Sequence, residues 1–254
     1  RTTGLLSRFL PGLPAESATD DVSFESAFQP VNPRQRDEYL GASANRTVHS
    51  RWWRHREGGR PVVLVLHGFA ADLYAMNEWF FALPAFYALG CDLLMMTLPF
   101  HGTRRGPGEP FSGYGFFAGG PSRIDEAVAQ SVQDARVLVR WLLDERGAPA
   151  VGVTGVSLGG LVAAQLAAAE PRLSFAIPNV PVSTLADLVM EWEPMGTVLR
   201  RLASRGGWSL AEARQHLAPS SPLTWDPVIS KDRLFVIGGA GDRLAPPKHA
   251  RLLW

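Results

Sequence analysis

The chain has 254 residues, a length that fits one large α/β domain or two small ones, and 46% of its residues are hydrophobic. Its 25 Lys and Arg against 24 Asp and Glu leave a net charge of +1. This balance argues against a nucleic-acid-binding protein, because phosphate contacts require concentrated positive charge. The one cysteine, Cys91, excludes an internal disulfide and a zinc site of several thiolates. No apolar run is long enough to cross a bilayer, and we expect a soluble, cytoplasmic protein without metal or cofactor.

Residues 1–46 are predicted to form an N-terminal arm packed on the main domain. A weak contact with a membrane surface is the alternative, because an apolar cluster lies near the start of this segment. The cluster consists of Leu5, Leu6, Phe9, Leu10 and Leu13. Residues 47–55 predict a solvated edge strand with Trp52 and Trp53 on opposite faces.

Short apolar runs alternate with helical patterns from Pro61 onward. The continuous apolar runs predict strands buried on both faces of a parallel sheet, at residues 62–66, 93–98, 150–154, 175–179 and 234–237. The stretches between them predict helices at residues 75–89, 125–147 and 158–169. This alternation predicts the α/β class, as a three-layer sandwich with a mostly parallel sheet and right-handed crossovers.

Residues 183–222 interrupt the alternation with a helical, tryptophan-containing stretch that is longer than a crossover helix needs to be. We interpret it as a helical cap over the carboxyl ends of the strands, where open α/β sheets bind ligands. Leu188 and Trp192 are then expected to line an apolar pocket wall. The alternative is a segment that only covers the sheet edge. The α/β core would comprise residues 47–182 and 223–254.

The sequence Gly155-Val156-Ser157-Leu158-Gly159 follows a predicted strand directly and begins a predicted helix. The G-x-S-x-G pattern alone is a weak signal, but this strand-turn-helix setting is what a nucleophile elbow requires. A serine in such a strained turn brings neighbouring backbone segments too close for a Cβ, and the glycines provide the room. A glycine-rich turn with an incidental serine is the alternative.

These features resemble the α/β-hydrolase superfamily over residues 47–254. Leu66-His67-Gly68-Phe69 resembles the turn that supplies half of the oxyanion hole, and Pro99-Phe100-His101-Gly102 has Phe100 where the superfamily usually has Gly. Residues 238–246 resemble the segment of the catalytic acid. Residues 98–105 and 153–160 are most similar to a poorly characterised branch of hydrolase-domain proteins. The resemblance implies a site composed of the nucleophile Ser157, the acid Asp242, the Phe69 and Leu158 amides as oxyanion hole, and His67 and Gly68 in the binding turn.

A serine hydroxyl needs a base within hydrogen-bond distance, and a third group must orient that base. Asp242 is predicted at the sheet edge of Ser157, or alternatively at the N-cap of a helix after Pro246. In the order Ser, Asp, His the histidine comes last, and only His249 follows Asp242. Because His249 lies so close behind Asp242, we expect it to be a solvated helix residue. We expect the natural chain to continue for about 25 residues that contain the catalytic histidine.

The sequence therefore predicts a serine hydrolase that cleaves carboxylic esters through an acyl-enzyme, with acyl lipids and thioesters among the candidate substrates. The expected partner is a small acyl ester, and no nucleic acid. An acyltransferase of the same fold is one alternative. A binding module without catalytic activity is the other, if no histidine follows residue 254.

Overall fold

The computed structural model of the chain describes residues 18–191, 197, 201 and 209–253. Six strands in this part form one sheet in the spatial order β1-β2-β4-β3-β5-β6. They are β1 Ala18–Glu25, β2 Thr47–Arg54, β3 Val62–Leu66, β4 Asp92–Met96, β5 Val151–Val156 and β6 Phe175–Asn179. Strands β3 to β6 pair in parallel, whereas β1 pairs with β2 and β2 with β4 in antiparallel fashion. The predicted mostly parallel sheet is confirmed.

Helices cover both faces of this sheet. They are α1 Arg36–Gly41, α2 Tyr74–Phe80, α3 Leu83–Ala88, α4 Tyr114–Phe117, α5 Gly120–Arg140, α6 Leu158–Ala169, α7 Leu185–Glu191, α8 Leu210–His216 and α9 Pro247–Leu253. Successive side chains of a buried strand point to opposite faces, so Leu64 lies in a large core cluster with α5 and α6. Val63 and Val65 lie in a smaller cluster with α3 on the other face. The predicted three layers are confirmed.

Strand β2 is an interior strand, and the prediction of a solvated edge strand is wrong. Trp52 and Trp53 are both buried, one in each core cluster, as expected for opposite faces. The edge is formed by β1, which pairs with β2 along its whole length. The sequence of β1 does not indicate a strand of the sheet, because only two of its residues, Val22 and Phe24, pack against the core.

Two other elements differ from the sequence-based prediction. The single helix expected at residues 75–89 is divided into α2 and α3 at Ala82, whose φ of 47° is left-handed. Pro84 lies in the first turn of α3 and has no N–H to continue a preceding helix. The strand expected at residues 234–237 forms only two isolated parallel bridges with β6. It is not buried, because Phe235 is 54% exposed.

A buried polar network joins the segment before β2 to α5 and to the turn after β4. Arg104 and Asp134 form a fully buried ion pair of 2.9 Å. Asp134 also accepts a 2.6 Å hydrogen bond from the Ser26 hydroxyl, and Arg104 donates to the Asn45 carbonyl oxygen at 2.9 Å. Groups paired in this way avoid the cost of an unpaired buried charge. Residues 26–46 are thus fixed to the domain, and the apolar cluster of residues 5–13 lies outside the described residues.

The segment predicted as a cap is described in part, with α7 and α8 in contact with each other. Arg214 of α8 donates to the Asp187 carboxylate of α7 at 3.1 Å. Helix α8 begins with a capping box, in which Ser209 and Glu212 each accept a hydrogen bond from the other's backbone N–H. Among the helices of the described ranges, none combines the length and apolar character needed to cross a membrane.

Candidate active site

Ser157 lies in a strained turn between β5 and α6. Its backbone has φ 54° and ψ −110°, a conformation that L-residues rarely adopt. Its N–H donates to the Asn179 carbonyl oxygen at 3.0 Å, which ties the turn to the end of β6. The residue is half-buried, and no described side chain makes a hydrogen bond with its hydroxyl. Strain of this kind persists at functional sites when the surroundings enforce it, so the turn has the properties of a nucleophile elbow.

The glycines around Ser157 are sterically required, as the sequence predicts. A Cβ on Gly159 would lie 2.0 Å from the Leu66 carbonyl oxygen, and one on Gly155 would lie 2.1 Å from the Gly159 oxygen. A Cβ on Gly160 would lie 2.9 Å from the Asn179 oxygen. Real Cβ atoms do not approach backbone oxygens this closely, so α6 can cross the ends of the strands only with glycine at these positions.

The turn after β3 lies directly against Ser157. A Cβ on Gly68 would be 3.8 Å from the Ser157 Cβ, so the residue that precedes Phe69 lies in contact with the serine. The Phe69 N–H has no acceptor among the described residues. The Leu158 N–H is the first of α6, and the first N–H groups of a helix have no acceptor within it. The Phe69 and Leu158 amides thus have no acceptor in the described part of the chain, and their role as an oxyanion hole stays a prediction.

His67 braces this turn and does not present its side chain to a ligand. Its Nδ1 lies 2.8 Å from the Gly68 carbonyl oxygen, and its Nε2 accepts from the Leu98 N–H at 3.0 Å. The side chain is fully buried. Both ring nitrogens are therefore occupied by the protein, and the expected part of His67 in binding stays a prediction. Burial lowers the pKa of His67 to about 4, so the ring is neutral at pH 7.

Replacing His67 with Gln is expected to flatten the decline of stability in mild acid. The folded chain keeps His67 neutral down to a pKa of about 4, whereas the unfolded histidine takes up a proton near its ordinary value of 6.5. The contribution of neutral His67 to the free energy of unfolding is therefore complete above pH 6.5 and is lost as the pH falls towards 4. Urea unfolding at pH 7 and pH 4.5 should show the wild type losing about 2–3 kcal/mol more than His67→Gln. Equal losses in both proteins would contradict this.

His101 and Phe100 form the turn after β4. The His101 Nδ1 lies 2.8 Å from the Pro99 carbonyl oxygen, and burial together with the neighbouring His67 lowers its pKa to about 3. Phe100 has a φ of 62°, which explains the glycine that the superfamily usually has there. The Phe100 ring is buried and packs edge-on against the Tyr39 ring, with 5.3 Å between the ring centroids.

Asp242 lies at the same edge of the sheet as Ser157. A Cβ on Gly239 would contact both the Asp242 Cβ, at 3.2 Å, and Val180. Val180 follows Asn179, whose carbonyl oxygen accepts the hydrogen bond from the Ser157 N–H. The Asp242 Oδ1 accepts from the Leu244 and Ala245 amides at 2.8 and 2.9 Å. Because α9 begins only at Pro247, Asp242 closes its own loop and is not the N-cap of that helix. Its Oδ2 makes no hydrogen bond within the described ranges.

His249 is buried, and the prediction of a solvated helix residue is wrong. It is 1% exposed, and its Nδ1 lies 3.1 Å from the Ser183 hydroxyl oxygen. The sequence of α9 does not indicate this burial, because Arg251 and Leu252 of the same short helix are exposed. The described residues thus pair His249 with Ser183 and not with Ser157.

The residues expected to form the pocket wall have mixed outcomes. Leu188 of α7 is half-buried and packs against the larger core cluster, and Trp192 lies outside the described residues. Sequence reasoning missed a different apolar group beside the serine. Phe69 makes edge contacts with Phe111 and Phe117, at ring distances of 6.2 and 5.0 Å. The signal was the aromatic and glycine-rich run of residues 111–117, Phe-Ser-Gly-Tyr-Gly-Phe-Phe.

A family model described as alpha/beta hydrolase fold matches residues 61–176, which contain β3, the elbow and the start of β6. This match and the similar solved structures show that the chain has the α/β-hydrolase fold. Among curated proteins, an uncharacterized protein of Mycobacterium tuberculosis, Rv2627c, is 29% identical over 245 residues. The match covers 90% of this chain and 54% of that protein. The chain thus spans about half the length of the curated relatives it matches.

Solved structures with the same fold include several enzymes. Acetyl xylan esterase 1 from Thermoanaerobacterium sp. superposes with a TM-score of 0.61 at 16% identity, covering 93% of this chain and 77% of that protein. The Pyrococcus furiosus esterase Pf2001 gives 0.60 at 17% identity, covering 93% and 76%. The Pyrococcus horikoshii acylaminoacyl peptidase gives 0.55 at 12% identity, covering 100% and 36%. At these identities the likeness establishes the α/β-hydrolase fold.

Proposed function

We propose that the protein is a serine hydrolase that cleaves carboxylic esters through an acyl-enzyme intermediate. The observation that carries the proposal is the strained backbone of Ser157 at the start of α6, in contact with Gly68. The next amides along the chain from these two residues, those of Leu158 and Phe69, have no backbone acceptor among the described residues. Two of the similar structures are named as esterases, which agrees with ester substrates. Acyl lipids and thioesters are candidate substrates of the same chemistry.

In the proposed cycle the Ser157 oxygen attacks the ester carbonyl carbon while a base removes the hydroxyl proton. The carbonyl oxygen becomes an oxyanion that accepts hydrogen bonds from the amides of Phe69 and Leu158. The tetrahedral intermediate collapses, the C–O bond to the alcohol breaks, and the base returns the proton to the departing alkoxide. Water then attacks the acyl-enzyme by the same steps, which releases the carboxylic acid and restores the serine.

The base of this cycle is proposed to be a histidine that Asp242 orients. None of the histidines in the described part of the chain makes a hydrogen bond with the Ser157 hydroxyl, and two of them, His67 and His101, are braces of backbone turns. His249 is paired with Ser183. The curated relatives are about twice as long as the matched segment, so we place the base in residues outside this chain. The Oδ2 of Asp242 is the atom that would accept its N–H.

A fluorophosphonate probe tests the proposal, because it forms a covalent bond only with an activated serine. The full-length protein should be labelled, and peptide mapping should place the label on Ser157. Ser183→Ala is the matched control, since Ser183 is the serine that lies beside a histidine in the described structure. Labelling should persist in that variant and disappear in Ser157→Ala. A label on Ser183, or no labelling and no ester turnover, would overturn the proposal and favour a binding module.

A further inference from the structure

We propose that Phe69, Phe111 and Phe117 form an aromatic wall that binds the acyl chain of the substrate. The preferred substrates are then esters of medium-length or aromatic acyl groups, and acetate esters are poor substrates. This inference rests on the proposed function and names the substrate class of that site. It also places the acyl-binding surface on the segment after β4, whereas the sequence favours the cap of residues 183–222.

The aromatic wall begins at the residue that supplies one oxyanion amide. Gly68 lies against the Ser157 Cβ, and Phe69 is the residue that follows Gly68 in the chain. That ring meets Phe117 at 5.0 Å and Phe111 at 6.2 Å, with interplanar angles of 89° in both pairs. Edge-to-face contacts of this kind fix the relative orientation of the rings. The three rings therefore form one continuous apolar surface that starts at the residue after Gly68.

The segment that carries Phe111 and Phe117 is held rigidly against this turn. The Gly113 N–H donates to the Phe100 carbonyl oxygen at 2.8 Å. The Ser112 hydroxyl donates to the Asp72 carboxylate and accepts from the Gly102 N–H at 3.0 Å. Gly113 is so close that a Cβ there would lie 2.6 Å from the Phe69 ring. A preformed wall costs less entropy on binding than a mobile loop does.

The wall keeps apolar surface available for a ligand. Phe111 is 48% exposed, and Phe69 and Phe117 are each half-buried. A methylene that is removed from water against such a surface strengthens binding about fourfold. The acyl group stays attached to Ser157 through both chemical steps, whereas the alcohol must leave. The aromatic wall is therefore assigned to the acyl group and not to the alcohol.

The test compares p-nitrophenyl acetate with p-nitrophenyl octanoate in the full-length protein. Phe111→Ala and Phe117→Ala should each lower the octanoate-to-acetate ratio of kcat/KM about tenfold, because several methylenes lose contact. Phe80→Ala is the matched control, since Phe80 is 55% exposed and packs on Trp79 of α2. Its ratio should equal that of the wild type. An unchanged ratio in both wall variants, or an equal fall in the control, would overturn the proposal.

Two further measurements complete the test. Esters of one acid with alcohols of increasing length should show no effect of the wall variants, and an effect confined to the alcohol series would overturn the assignment to the acyl group. Calorimetric binding of octanoate to Ser157→Ala does not depend on catalysis. The Phe111→Ala change should weaken that binding about tenfold. If the wild type lacks turnover but octanoate binding follows this pattern, the proposed function fails and the wall stands.

Discussion

Replacing Ser157 with Gly is expected to abolish ester hydrolysis and, at the same time, to make the protein more stable than Ser157→Ala. Both changes remove the hydroxyl, and loss of a serine nucleophile lowers kcat by about a millionfold. Only glycine adopts φ 54° and ψ −110° without a clash of its Cβ. We expect the free energy of unfolding of Ser157→Gly to exceed that of Ser157→Ala by about 1–2 kcal/mol.

The comparison between these two variants isolates the backbone strain, because neither contains the hydroxyl. Urea unfolding of both purified proteins measures the difference, and turnover of p-nitrophenyl esters measures the loss of activity. If the alanine variant is as stable as the glycine variant, the elbow stores no strain at this residue. Activity that survives in either variant would eliminate Ser157 as the nucleophile.

The elbow could be predicted from the sequence because its constraints are local. Gly155, Gly159 and Gly160 lie within three residues of Ser157, and the clash that each avoids is visible as a small residue at a fixed offset. Strands β3 and β6 were also predicted with the observed bounds. Strand β3 is buried on both faces and has a continuous apolar sequence, whereas β6 alternates between half-buried and buried residues.

Contacts between distant segments produced the errors. His249 is buried by packing near Ser183, a residue 66 positions away, and nothing in α9 itself indicates it. Strand β1 is polar because its outer edge faces solvent, so it lacks the apolar run that marks β3. Phe111 and Phe117 reach Phe69 only after the chain turns at Gly113, and the spacing of aromatic residues alone does not reveal that contact.

Asp242→Asn is expected to lower kcat by about ten thousandfold in the full-length protein while leaving its fold intact. An amide in place of the Oδ2 carboxylate oxygen no longer holds the base in the tautomer that accepts the serine proton. The asparagine Oδ1 still accepts from the Leu244 and Ala245 amides, so the loop should keep its shape. Asp226→Asn, the same change at an exposed residue, is the matched control and should keep full activity.

Asp242→Ala separates two roles of this carboxylate, the orientation of the base and the closure of the loop of residues 242–245. It removes the acceptor for both loop amides, so its Tm should fall below that of Asp242→Asn, although both variants should have the same low kcat. If Asp242→Asn keeps wild-type activity and only Asp242→Ala loses stability, the carboxylate serves the loop alone. The proposed orientation of the base would then belong to another acid.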